Sequence, residues 1–249
     1  MVSIGRNRNE YLIKVTAISQ KENGKDGGSM QELETESSWQ EYVALMTERP
    51  ELFREEGWLT IEKDPEVIRR YEQKSGKRIG VVYKSEYHMM VVDLIKGENG
   101  THFCYERLLP MVEKGAIVSV PVFDGKFVLL RQYRHAIREF QYGFPRGFGE
   151  AGVSVEENVR KEIQEELNAK VTNMQHLGQV VADSGVGSNK VDIYFCSVTE
   201  PMLKLGYEEI EKIQLLTEDE LDTWIAEEKI TDGFTLAGYS LYQAKRKNI

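Results

Sequence analysis

Between Gly143 and Asn168 the sequence runs Gly-Phe-Pro-Arg-Gly-Phe-Gly-Glu-Ala-Gly into Val-Ser-Val-Glu-Glu-Asn-Val-Arg-Lys-Glu-Ile-Gln-Glu-Glu-Leu-Asn, a glycine-rich loop feeding an amphipathic segment. Ser154 with Glu157 three residues on fits a capping box, in which hydroxyl and carboxylate each satisfy an orphan N–H at a helix start. The spacing therefore predicts a helix over 155–167. Val155, Val159, Ile163 and Leu167 recur every four residues and form a stripe that would dock on a sheet. Glu162, Glu165 and Glu166 lie beside that stripe. Positions i, i+3 and i+4 share a helical face, so these carboxylates are expected to converge and to raise one another's pKa. A divalent cation resolves the conflict, and hard oxygen ligands suit magnesium. A solvated acidic face is the plain alternative for a lone Glu-x-x-Glu-Glu. Gly147, Gly149 and Gly152 count against it, because they let backbone approach a ligand closely and an ordinary surface helix does not need that.

Composition narrows the partners. Against 41 acidic residues stand 32 Lys and Arg, a formal charge of −9 that repels a polyanionic backbone, so nucleic acid is not expected as a main partner. Cys104 and Cys196 form no CxxC or Cys/His spacing, which indicates two ordinary thiols in a reducing compartment. The N-terminus lacks the apolar run of a signal peptide, and no later window approaches the roughly eighteen apolar residues of a membrane span. The expectation is a cytoplasmic protein with no membrane partner.

Along the chain, Glu10 to Ile18 reads as a short strand and Lys21 to Ser38 as a polar, glycine-bearing linker. Helical spacing follows in residues 39–83: Trp39, Tyr42, Val43 and Met46, then Val67, Ile68 and Tyr71 after Asp64-Pro65. The pattern turns β-like at Tyr87. The segments HMMVVDLI and THFCYERLL flank Gly97 to Gly100 as a first hairpin, and Ala116 to Phe123 with Lys126 to Tyr133 form a second around Asp124-Gly125. Val191 to Val198 and Ile210 to Leu216 read as strands, and Glu218 to Glu228 as a helix. Alternating strands and helices point to an α/β fold, a mixed sheet with helices packed on it.

The loop and helix resemble the box of the Nudix hydrolase family: Gly, five residues, Glu, seven residues, then Arg-Glu-U-x-Glu-Glu-x-Gly-U, where U is bulky and aliphatic. Gly147 takes the first position, Glu162 follows Lys161, Ile163 fills U, and Glu165-Glu166 close the acidic core. Val153 stands for the first Glu, Lys161 for Arg, and Asn168-Ala169 for the final Gly-U. Val153 and Lys161 remove an ion-pairing acid and a bidentate fork that would orient the metal ligands. Further segments are similar to the ADP-ribose pyrophosphatase-like branch: Arg131-Gln-Tyr-Arg134, Phe144-Pro-Arg-Gly147, Glu208-Glu-Ile-Glu211, and Lys229-Ile-Thr-Asp-Gly-Phe-Thr-Leu236. Where that branch has a Pro-Gly turn after the box, this chain has Ser184-Gly185.

The resemblance covers about residues 85–249. It implies a Nudix α/β/α sandwich with a mixed sheet over 110–249, preceded by a small antiparallel β-region over 85–109 that mediates a homodimer in the resembling enzymes. Residues 1–84 are an N-terminal extension, with the linker at 21–38 and the helical part at 39–83. The implied reaction is Mg2+-dependent hydrolysis of the diphosphate of ADP-ribose or a nucleotide sugar, with Mn2+ as a possible substitute. Glu162, Glu165 and Glu166 are the implied metal ligands, Glu165 also assisting catalysis. Glu208 or Glu209 is the candidate base, an ordinary solvated pair being the alternative. Arg131, Arg134, Arg146 and Gly147 are the candidate substrate contacts, with surface ion pairing the alternative for Arg131 and Arg134. The four histidines show no metal spacing, and Tyr87 and Tyr105 are either core residues or an adenine-stacking aromatic. Two rival readings remain open: a Nudix-fold sensor that binds ADP-ribose without cleaving it, and an interaction module with a decayed hydrolase attached.

Overall fold

The computed structural model describes residues 30–112, 114–203 and 209–248. The expected strand at Glu10 to Ile18 and most of the expected linker lie outside these residues, as does Glu208.

Helix α1 (Met30–Glu48) begins nine residues before the expected helical region, so the linker reading fails over 30–38. Residues 30–37 contain neither Gly nor Pro and include Met, Gln, Leu and three Glu, all good helix formers, so polarity there does not mean coil. Strand β1 (Thr60–Ile61), helix α2 (Pro65–Ser75) and strand β2 (Gly80–Lys84) follow. Then comes the first hairpin, β3 (His88–Lys96) with β4 (His102–Pro110).

These elements make one four-stranded sheet. β3 pairs with β4 along one edge and with β2 and β1 in tandem along the other, so the sheet takes in strands from before residue 85. Alternation along β3 assigns its two faces. Met89 and Val91 join Tyr42 and Leu45 of α1, whereas Val92 and Leu94 join Ile68 of α2. Val43, expected on the apolar side of α1, is exposed, and Leu45 is buried in its stead. Beside Val91, Asp93 is buried too, and its carboxylate accepts from Arg107 Nε at 2.5 Å, Arg107 Nη2 at 2.9 Å and the Tyr42 hydroxyl.

The second sheet has seven strands. β5 (Ile117–Phe123) and β6 (Lys126–Arg134) form the expected second hairpin, with Asp124 at φ 47° and Gly125 at φ 72°, the paired positive values of a primed turn. β7 (Glu139–Gly143) pairs with β6, β8 (Arg146–Gly147) with β5, and helix α3 (Val155–Leu167) follows. β9 (Val171–Val180), β10 (Val191–Val198) and β11 (Ile210–Leu216) complete the order β11-β6-β5-β10-β9, in which β10 runs parallel to β5. Helices α4 (Glu218–Ala226) and α5 (Gly233–Lys245) close the chain.

The period of two along β6 builds a core on each side of this sheet. Val128 and Leu130 pack with Val159, Ile163 and Leu167 of α3, the expected stripe. Phe127 and Leu129 pack with Leu221 of α4 and Tyr239 of α5. The result is an α/β/α sandwich. Cys104 and Cys196 are both free thiols, and burial pushes that of Cys196 up to about 12. Among the described residues no helix is long and apolar enough to cross a membrane.

Candidate functional site

Helix α3 carries two adjacent four-residue stripes, both turned inward. The apolar stripe packs on the sheet. Beside it run Asn158, Glu162 and Glu166, exposed by 0%, 9% and 2% respectively. A capping box fixes where the helix starts, because Ser154 Oγ accepts from Glu157 N and the Glu157 carboxylate accepts from Ser154 N. At the other end Asn168 adopts the left-handed conformation (φ 48°, ψ 35°) that glycine usually supplies there. Its replacement of the box glycine therefore leaves the helix end intact.

The loop ahead of α3 is pressed against it. A Cβ at Gly147 would stand 2.0 Å from Glu162 Oε1, so only glycine allows the strand to pass over that carboxylate undisturbed. A Cβ at Gly149 would stand 2.0 Å from the Lys114 carbonyl. Asn158 ties these pieces together, its Nδ2 donating to Gly115 O at 2.7 Å and to Phe148 O at 2.8 Å. Glu166 Oε2 accepts the backbone N–H of Arg146 at 3.2 Å.

The three glutamates do not close into a cage: among the described residues no three His, Cys, Asp or Glu side chains form a metal cluster. Glu162 and Glu166 are buried, whereas Glu165 is half-buried. Lys161 bonds Glu150. Its pKa is raised, first by the Glu150 hydrogen bond and further by the charges of Glu165 and Glu162. The ion pair expected to be lost with Val153 is thus present, with its acid three residues earlier.

The arginines divide. Arg131 is ion-paired with Glu211 and sits over the Phe140 ring at 4.3 Å, the surface-pairing alternative of the sequence. Arg146 is also engaged: its Nη1 bonds Asp232 Oδ1 at 3.1 Å, and its guanidinium lies 5.3 Å from the centre of the Phe234 ring. Arg134 is half-buried at the end of β6. Glu209 is exposed, at φ 59°, immediately before β11.

The N-terminal sheet reaches the loop through aromatics. Phe148, between the two close-packed glycines, has its ring 5.7 Å from those of Tyr87 and His88. Tyr105 donates to Gly185 O at 2.5 Å, so Ser184-Gly185 docks on β4. Sequence reasoning missed Asn158, Asp232 and Thr235 as members of this site. For Asn158 a signal was present, since it lies four residues before Glu162 and eight before Glu166.

Comparison with known proteins agrees with this architecture. The NUDIX domain family model matches residues 113–234. The ADP compounds hydrolase NudE of Escherichia coli (strain K12) is 28% identical over 95 residues, 38% of this chain and 50% of that protein. The NAD-capped RNA hydrolase NudC of Photorhabdus laumondii subsp. laumondii is 36% identical over 76 residues, 30% of this chain and 28% of that protein. The chain thus spans half or less of the length of these relatives. A solved structure of an ADP compounds hydrolase superposes with a TM-score of 0.61 at 17% identity, covering 78% of this chain and 97% of that one. The glycine loop and the capped acidic helix both fall inside the matched segment, so residues 113–234 are similar to a NUDIX domain.

Proposed function

We propose that the protein is a magnesium-dependent hydrolase that cleaves the diphosphate of ADP-ribose or a related nucleotide sugar, giving a nucleoside monophosphate and a sugar phosphate. The observation that carries this reading is the burial of Glu162 and Glu166 under a strand whose Gly147 leaves no room for a Cβ. The donor set is carboxylate oxygen throughout, which fits a hard cation such as Mg2+, with Mn2+ as a substitute. Glu162 and Glu166 would hold the ion and Glu165 would assist. Magnesium needs no closed protein cage, because it keeps several waters. When bound, the ion supplies polarisation of the phosphoryl oxygens and acidification of the attacking water.

The chain's own residues do the positioning. The Arg146 N–H holds one oxygen of Glu166. Asn158 fixes the loop that carries Gly147 and Gly149. Arg134, half-buried at the end of β6, is a candidate diphosphate contact. Glu209, or its neighbour Glu208, is the candidate base. A substrate containing ADP is supported by the likeness to ADP compounds hydrolases. A homodimer formed through the N-terminal sheet and a cytoplasmic setting belong to the same reading.

Weakened metal-ligand positioning through Val153, Lys161 and Asn168 would favour a sensor without turnover. The Glu150–Lys161 pair and the left-handed Asn168 remove much of that support. The test is incubation with Mg2+ and a panel of ADP-ribose, ADP-sugars, GDP-sugars and NADH, with nucleoside monophosphate release followed by phosphorus NMR. Turnover that is lost in Glu166→Gln is expected. If nothing turns over and Glu166→Gln alters neither metal nor ligand binding, the reading is wrong. Ligand binding without turnover points to the sensor.

A further inference from the structure

Asp232 is buried, with 8% of its side chain exposed, and both of its oxygens are committed. Oδ2 accepts from Thr235 N at 3.0 Å and from Thr235 Oγ1 at 2.7 Å, which caps the 13-residue helix α5. Oδ1 accepts from Arg146 Nη1 at 3.1 Å. Thr235 Oγ1 in turn accepts the Phe144 N–H at 2.9 Å. The segment 144–146 is therefore fastened to the start of α5 at its first residue by a hydroxyl and at its last by an ion pair. Arg146 carries the connection onward, for its N–H is the group bonded to Glu166 Oε2 at 3.2 Å.

We propose that Asp232 is a positioning residue: by clamping the Arg146 guanidinium to the cap of α5, it fixes the Arg146 N–H that orients the Glu166 carboxylate. The link to function rests on the metal role given to Glu166 above. A carboxylate held through one oxygen presents the other in a fixed direction, and partners that orient ligands in this way typically set metal affinity by about 10- to 100-fold.

The test separates the clamp from the cap. Asp232→Asn keeps an oxygen to cap α5 but loses the charge that holds Arg146. Amide exchange at Arg146, followed by NMR without added metal, is expected to accelerate in Asp232→Asn while the amides of α5 stay protected. Manganese affinity, titrated by electron paramagnetic resonance, is expected to fall about tenfold. In an Arg146→Ala background the same Asp232→Asn change is expected to have little further effect, because the guanidinium it acts through is gone. A purely structural role would lower affinity alike in both backgrounds, and that result overturns the proposal, as does unchanged exchange at Arg146. If the wild-type protein binds no manganese, the metal reading of Glu166 fails; the exchange result then decides the clamp alone, faster exchange upholding it and unchanged exchange refuting it.

Discussion

Asp93 in the N-terminal sheet and Glu166 on α3 are equally deep, each 2% exposed, yet their surroundings differ in kind. Asp93 meets the Arg107 guanidinium and the Tyr42 phenol, and Arg107 is bonded onward to the Leu52 carbonyl at 2.7 Å. Burial first, and then the charge of Asp93, push the Tyr42 phenol well above the usual tyrosine range. That carboxylate is neutralised by the chain itself and serves to bind α1 to its sheet. Glu166 meets a backbone N–H, with a second buried glutamate four residues before it and a glycine in the strand above. Depth alone does not distinguish the two acids. What distinguishes the second region is an acidic pair under a loop shaped by glycine.

The largest effect is expected at the closed network. Asp93→Ala strands a half-buried guanidinium, and breaking a buried pair costs about 3–5 kcal/mol. Chemical denaturation would measure the loss, and manganese affinity should hold wherever the variant is folded. Glu166→Gln should do the converse. We expect turnover to fall by at least roughly a hundredfold, about 3 kcal/mol, with a far smaller change in stability. If the two variants behave alike in both assays, the contrast between the regions is unfounded.

Gly147→Ala sharpens the comparison. The added methyl meets the end of a flexible side chain, so Glu162 should swing aside at the lower end of the ~1–3 kcal/mol that overpacking costs. Manganese affinity should drop more than the midpoint of unfolding moves. An affinity equal to that of the wild type would show that Glu162 need not lie under the strand.

The smallest effect concerns Glu62, which accepts from Asp64 N at 3.0 Å and faces His102 Nε2 at 3.1 Å. The Asp64 N–H, above all, lowers its pKa from the ordinary 4.5, with His102 adding to the shift. A lowered folded value means that the stabilisation is full above the unfolded value and is lost as pH falls through the folded one. Glu62→Gln should therefore flatten the acid limb of stability below about pH 4.5 and leave neutral stability nearly unchanged. An unaltered acid limb would remove Glu62 from the account.

What could be read in the sequence follows from how local each signal is. The α3 boundaries and the Asp124-Gly125 turn rest on contacts within a few residues, and the structure has them where the spacing puts them. The start of α1 was missed because a polar stretch without Gly or Pro is compatible with either helix or coil until something packs on it. β9 was also missed. Its exposed positions fall irregularly, and bulges shift its register against β10, which blurs the period of two. In the site, the acids were legible but their division was not. Whether Glu165 converges with Glu162 and Glu166 depends on which flank of α3 meets the loop. Likewise the acids that pair with Arg131 and Arg146 could not be named from sequence, because Glu211 and Asp232 reach them only through the fold.

We propose that Glu162 and Glu166, and not the buried Asp93, are placed to hold a divalent ion. The most direct test is a manganese titration followed by electron paramagnetic resonance on the wild-type protein, on the Glu162→Gln, Glu166→Gln double variant, and on Asp93→Asn. The account predicts saturable binding in the wild type, loss of that binding in the double variant, and wild-type affinity in folded Asp93→Asn. Undiminished binding in the double variant would contradict it.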